Sequence, residues 1–145
     1  MEQLKWCLKQ PKGIKLIHPN KNLSDSYLKR AKLDQENIER QNPIWKVIIS
    51  YYACYNALSA LLIRYGIKSE IHSCSILLTQ HYERLKRFTD FLEGLKENRI
   101  NTQYYLKKPK PPNLETINEF INMCELEIIE CNQKRIEKIK EHLFK

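Results

Sequence analysis

The stretch PIWKVIISYYACYNALSALLIRYG, from Pro43 to Gly66, constrains this chain more than any other. Pro43 suits the first turn of a helix, where its missing N–H costs nothing. Gly66 suits the left-handed residue that ends one. Between them the run from Val47 to Ile63 is apolar, interrupted only by Ser50, Asn56 and Ser59 and carrying Tyr51, Tyr52 and Tyr55. That falls short of the roughly 20 clean apolar residues of a membrane span. A helix apolar on nearly every side is instead expected at the centre of a bundle, with other helices packed around it.

The rest of the chain supplies those helices. Only 3 Gly and 6 Pro occur in 145 residues, so turns are scarce, elements are long, and a β-sandwich or barrel is disfavoured. Residues 1–21, basic and broken by Pro11, Gly13 and Pro19, are read as an irregular N-terminal arm with at most a short helical turn. A helix capped by Asn22 or Ser24 then places Tyr27, Leu28, Ala31 and Ile38 at helical spacing and ends near Gln41. After the central helix, Ser73 is positioned to cap a short helix reaching Gln80. Leu85, Phe88, Leu92 and Leu95 mark a fourth, which continues, or re-forms after a kink at Gly94, to Tyr105. The segment LKKPKPPN (106–113) cannot be helical and reads as an extended basic connector. Asn113 caps a last helix from Leu114 to about Phe144, whose glutamates precede its lysines in the order that suits the helix dipole. The predicted architecture is all-α: an antiparallel up-and-down bundle of four to five helices, its domain spanning 22–145.

Charge and cysteines bound the setting. The net charge of +8 raises nucleic acid or another polyanion as a partner. The N-terminus has no apolar segment of the kind a secretory signal needs, so export is not expected. Five cysteines, Cys7, Cys54, Cys74, Cys124 and Cys131, form no CxxC pair, and three sit in apolar helical stretches as small hydrophobes do. The reading is reduced thiols in a cytoplasmic protein. His72 and Cys74 are two positions apart, but one such pair does not make a metal site, and no cofactor is predicted.

There is no glycine-rich phosphate loop, HExxH, GxSxG or EF-hand loop, which removes most enzyme classes recognisable by a short motif. Polar residues at helix ends remain. His72 follows the central helix, near Arg64, Lys68 and Glu70. Arg99 precedes Tyr104 and Tyr105, and Lys107, Lys108 and Lys110 follow. An imidazole that takes a proton beside an arginine that grips a phosphate is the minimum for binding or cleaving a phosphodiester. Plainer roles compete. His72 serves equally as a structural hydrogen-bonder, Arg64 as a complement to its helix dipole, and Tyr51, Tyr52 and Tyr55 as core or dimer-seam aromatics. The basic connector can be no more than a solvated turn.

KVIISYYACYNALSALLIRYGIKSEIHSCSI (46–76) followed by ENRINTQYYL (97–106) resembles the HEPN domain family, in particular its small stand-alone archaeal type. The likeness covers roughly residues 22–140. It implies a helical bundle that is usually a homodimer and is often encoded beside a minimal nucleotidyltransferase. Members include RNA-cleaving toxins and non-catalytic binding partners. Ribonuclease members carry Arg, four to six residues, then His; here Arg99 matches, but Tyr104 stands five positions on and no His follows in that window. The expectation is a toxin–antitoxin-like component, with weak or no catalysis, that binds RNA, nucleotide or a nucleotidyltransferase through Arg99, Tyr104 and the His72 loop. A metal-independent endoribonuclease using His72 and Arg99 or Arg64, and a purely structural helical module, are the alternatives. Whether His72 and Arg99 converge in space discriminates the first two.

Overall fold

The computed structural model describes residues 2–144. Seven α-helices are found there: α1 (Glu2–Lys9), α2 (Lys21–Asn37), α3 (Pro43–Arg64), α4 (His72–Leu77), α5 (Thr89–Gln103), α6 (Leu114–Ile129) and α7 (Gln133–Phe144). Two short strands, β1 (Lys15–Leu16) and β2 (Ile67–Lys68), pair antiparallel, Lys15 opposite Lys68 and Leu16 opposite Ile67. The fold is all-α around one centre: α2, α5 and α6 pack on α3.

The centre follows from the residues. Asn42 accepts the Trp45 N–H at 3.0 Å and Pro43 opens the first turn. Ala53, Cys54, Ala57, Leu58, Ala60 and Leu61 then bury completely as α3 threads between its neighbours. Gly66 ends it at φ 76°, where a Cβ would also meet the Ile17 carbonyl oxygen at 2.7 Å. By length and mean hydropathy, 1.3 over its most apolar window, α3 could cross a membrane; 61% of that window is buried inside the bundle.

Several expectations are corrected. The N-terminal segment is not irregular throughout: α1 forms, and Gly13 lets the backbone close on it, Ile14 N–H donating to the Cys7 carbonyl at 2.9 Å. Asn20, rather than Asn22 or Ser24, caps α2 by accepting the Leu23 N–H. Ser24 is buried instead, donating to the Ala60 carbonyl at 2.7 Å. The third helix starts at His72 without a side-chain cap from Ser73. Of the two courses open at Gly94, α5 takes the continuous one, because that position faces open space and nothing forces a bend.

The two largest corrections concern covalent and charge order. Cys7 and Cys74 are joined in a disulfide across 67 residues, tying α1 to α4, so the reading of five reduced thiols fails for this pair. Cys54, Cys124 and Cys131 are free; burial pushes the Cys54 and Cys124 thiols far up, in keeping with small apolar core residues. The single long C-terminal helix is two. Asn132 accepts the Arg135 N–H at 2.9 Å and starts α7, an N-cap outcompeting helix continuation. At the junction the charges oppose both dipoles: acids close α6 and bases open α7. Cross-linking ion pairs offset this. Arg84 and Arg135 both bind Glu127, at 3.2 and 3.3 Å, and both bind Glu130.

Candidate functional site

The stagger of α3 places Tyr51 and Tyr55 one turn apart on one stripe, with Tyr52 beside them. Arg99, in the last turns of α5, lies across this stripe. Its guanidinium carbon is 4.8 Å from the Tyr51 ring centroid, 5.4 Å from Tyr52 and 5.9 Å from Tyr104. Nη1 donates to the Tyr52 hydroxyl at 3.3 Å and to Gln103 Oε1 at 3.2 Å. The side chain is only 6% exposed, its Nε has no partner, and no carboxylate pairs with it among the described residues. Three aromatic faces lessen the cost of this buried cation, but they do not neutralise it.

On the other side of Tyr51, the first residue of α4 brings in His72. Its Nδ1 lies 2.8 Å from the Tyr51 hydroxyl, and its ring stacks on Tyr55 at 4.0 Å between centroids. Arg99 and His72 therefore converge on one tyrosine. Burial lowers the His72 pKa, and the positive charges of Arg99 and Lys96 lower it further, so the imidazole is neutral at pH 7. Tyr51 is held far above its ordinary phenol value, first by burial, so its hydroxyl keeps its proton. With that proton donated to Nδ1 of His72, the remaining imidazole proton sits on Nε2. In this tautomer Nε2 is a donor, suited to holding an anionic oxygen rather than to taking a proton.

His72 opens onto a groove of about 670 Å3 whose walls include Tyr27, Tyr52, Tyr55, Asn56, Lys68 and Glu70. Lys68 and Glu70 are placed by the β1–β2 pairing and by the Glu70 N–H bond to the Lys12 carbonyl, so the N-terminal segment shapes this rim. Arg64 does not join them. Thirteen residues beyond Tyr51 on α3, it stands about 20 Å further along the axis, where its carbonyl accepts the Cys131 thiol.

Beyond Arg99, Tyr104 and Tyr105 are 64% and 68% exposed and Leu106 is 86% exposed, with φ at 52°. Lys107 and Lys108 follow on the connector. Asn98 pins that connector to α5, donating to the Lys110 carbonyl at 3.0 Å, and a basic groove forms between them. Of the residues singled out from sequence, the structure gathers His72 and Arg99 around Tyr51, sets Tyr104 against Arg99 alone, adjoins Lys68 and Glu70, and leaves Arg64 apart. Tyr51 and Gln103 were missed as site residues. The YYxxY spacing was the available signal for Tyr51, but the same spacing describes core aromatics.

The fold and site together define an all-α helical bundle that buries an arginine among tyrosines beside a histidine. The family model of the HEPN domain matches residues 23–136, and the chain belongs to that family. Comparisons with curated proteins and with solved structures give no match. Tyr104 stands five positions after Arg99, and the histidine at this site comes from another helix. Among the described residues no three His, Cys, Asp or Glu side chains are grouped as a metal ion would need.

Proposed function

We propose that this HEPN protein binds single-stranded RNA through Arg99, His72 and the exposed Tyr104–Tyr105 pair, with little or no cleavage. The observation that carries this reading is the buried Arg99 guanidinium without a carboxylate partner. A phosphate would supply the missing negative charge, and Tyr104 and Tyr105 offer free aromatic faces beside it for stacking bases. Neutral His72 adds a donor at Nε2, while Lys107, Lys108 and Lys110 extend the basic path. A second copy of the chain, seated over the exposed Leu106, is the homodimer that this reading includes. The reading also includes a minimal nucleotidyltransferase partner and a toxin–antitoxin-like setting.

The endoribonuclease reading rests on the convergence of Arg99 and His72. It requires the opposite tautomer, with Nε2 free to accept a proton. Loss of a working general base costs on the order of a hundred- to ten-thousand-fold in rate.

Fluorescence anisotropy with a short labelled RNA tests the binding. Affinity is expected to fall steeply with salt as counterion release loses its advantage. Tyr104→Ala and the triple Lys107→Glu, Lys108→Glu, Lys110→Glu change are each expected to weaken it by at least about tenfold. No binding at low salt, or binding indifferent to both variants, overturns the reading. Gel analysis of the same RNA is expected to show intact strand; cleavage abolished by His72→Ala would favour the ribonuclease reading.

A further inference from the structure

A second cleft lies on the face formed by α7 and residues 80–86, and it shares no residue with the Arg99–His72 site. It holds about 510 Å3. Lys134, Lys138 and His142 recur at intervals of four along α7, so they form a single stripe, and all three line this cleft. His81 and Lys86 face them from the other wall. Solvation alone gives no reason to line a concavity with cations in register.

The placement is also costly to the helix. Lys134 and Arg135 sit in the first turn of α7 with no acidic residue there, where the dipole favours negative charge. Lys134 and Lys138 have no ion-pair partner among the described residues. The two carboxylates in the lining do not settle the account: Glu83 is bound by Lys86, and Glu127, 4% exposed, is already shared by Arg84 and Arg135. Burial first, and then the neighbouring positive charge, depress His81 below its ordinary pKa, so it adds no cation to this wall at pH 7.

We propose that this cleft is a binding site for a chain of two or more phosphates. Lys134 and Lys138 stand one helical turn apart with Lys86 on the opposite wall, which calls for an anion whose own charges are strung out, rather than one carboxylate. Lysine ammonium groups bind phosphates as point charges, and the helix N-terminus adds its dipole. Tyr65 and Tyr82 are buried under the cleft, so neither offers a face to a nucleobase. Recognition therefore reads phosphate alone, whether on an inorganic oligophosphate or at the end of an RNA strand.

Titration calorimetry with sodium tripolyphosphate at low salt tests this without invoking the Arg99 site. One ligand per chain is expected. Lys134→Glu with Lys138→Glu is expected to cost at least about tenfold in affinity. Lys5→Glu with Lys9→Glu makes the same change of net charge on α1 and is expected to leave binding unchanged. Absence of binding, equal losses in both double variants, or no loss in either overturns the proposal. Competition names the source: displacement by 5′-triphosphorylated but not 5′-hydroxyl RNA assigns a strand end, and displacement by neither assigns the free anion. Equal displacement by both would indicate a backbone track and overturn the proposal.

Discussion

At the residue scale the decisive interaction is the Tyr51–His72 hydrogen bond, because it converts a residue type that often serves as a base into a donor. Two measurements follow. The His72 imidazole is expected to titrate below its ordinary 6.5, with the nitrogen chemical shifts of the Nε2–H tautomer above that midpoint. A midpoint above 6.5 would remove the account given of the site. The second concerns stability. A histidine whose folded pKa is depressed leaves the unfolded chain binding more protons, so its contribution is whole above the unfolded value of 6.5 and is lost as pH falls through the folded one. His81 has the same sign. The melting temperature is expected to drop between pH 7.5 and 5, and replacing either histidine with Asn should flatten part of that slope. Arg99 was legible as a candidate from its position before Tyr104. Its isolation from carboxylates was not, since that depends on which side chains of other elements fail to reach it.

At the element scale, asparagine caps written into the sequence decided four of the seven helix starts. Asn42, Asn113 and Asn132 each accept a backbone N–H three residues on, at 3.0, 3.1 and 2.9 Å. Asn132→Ala is expected to cost about 1 kcal/mol in denaturant unfolding. A cost near zero would mean that the break between α6 and α7 is set by the Arg84 and Arg135 clamp on Glu127 and Glu130 alone. The apolar periodicity across 114–144 continues through the break, because Ile128, Ile136, Ile139 and Leu143 all bury. That continuity is why one helix was read where two exist: periodicity reports which face is buried and is blind to a short interruption that preserves it.

At the scale of the whole molecule, the disulfide and the small sheet bring the N-terminal segment onto the bundle. Closing a loop of 67 residues restrains the unfolded chain, a contribution of about 4 kcal/mol in the entropic treatment. Cys7→Ser, or a dithiol reductant, is expected to lower the melting temperature by on the order of 10 °C. An unchanged melt would show that packing of α1 suffices. Cys74 lies two residues beyond His72, so the same bond restrains the start of α4. The assembled state is tested in solution. Light scattering at micromolar concentration is expected to give about 35 kDa, twice the 17.4 kDa chain. Leu106→Glu, at an exposed apolar position, should return it to one chain's mass; a wild-type monomer would remove the dimer from the proposed function.

What the sequence determined by itself is local or periodic: the bounds of α3 from Pro43 and Gly66, the helical class from the apolar spacing, the non-helical connector from its prolines. These rest on φ restrictions and side-chain hydrogen bonds that act within a few residues, and on a burial pattern that any bundle must satisfy. Only the tertiary structure decided that Cys7 meets Cys74, that β1 meets β2, that Arg64 stands apart, and that Arg99 and His72 share Tyr51. Each of these joins residues far apart in the chain. Their meeting depends on how helices settle against α3, and so on the packing of the whole molecule, which no spacing along one element encodes.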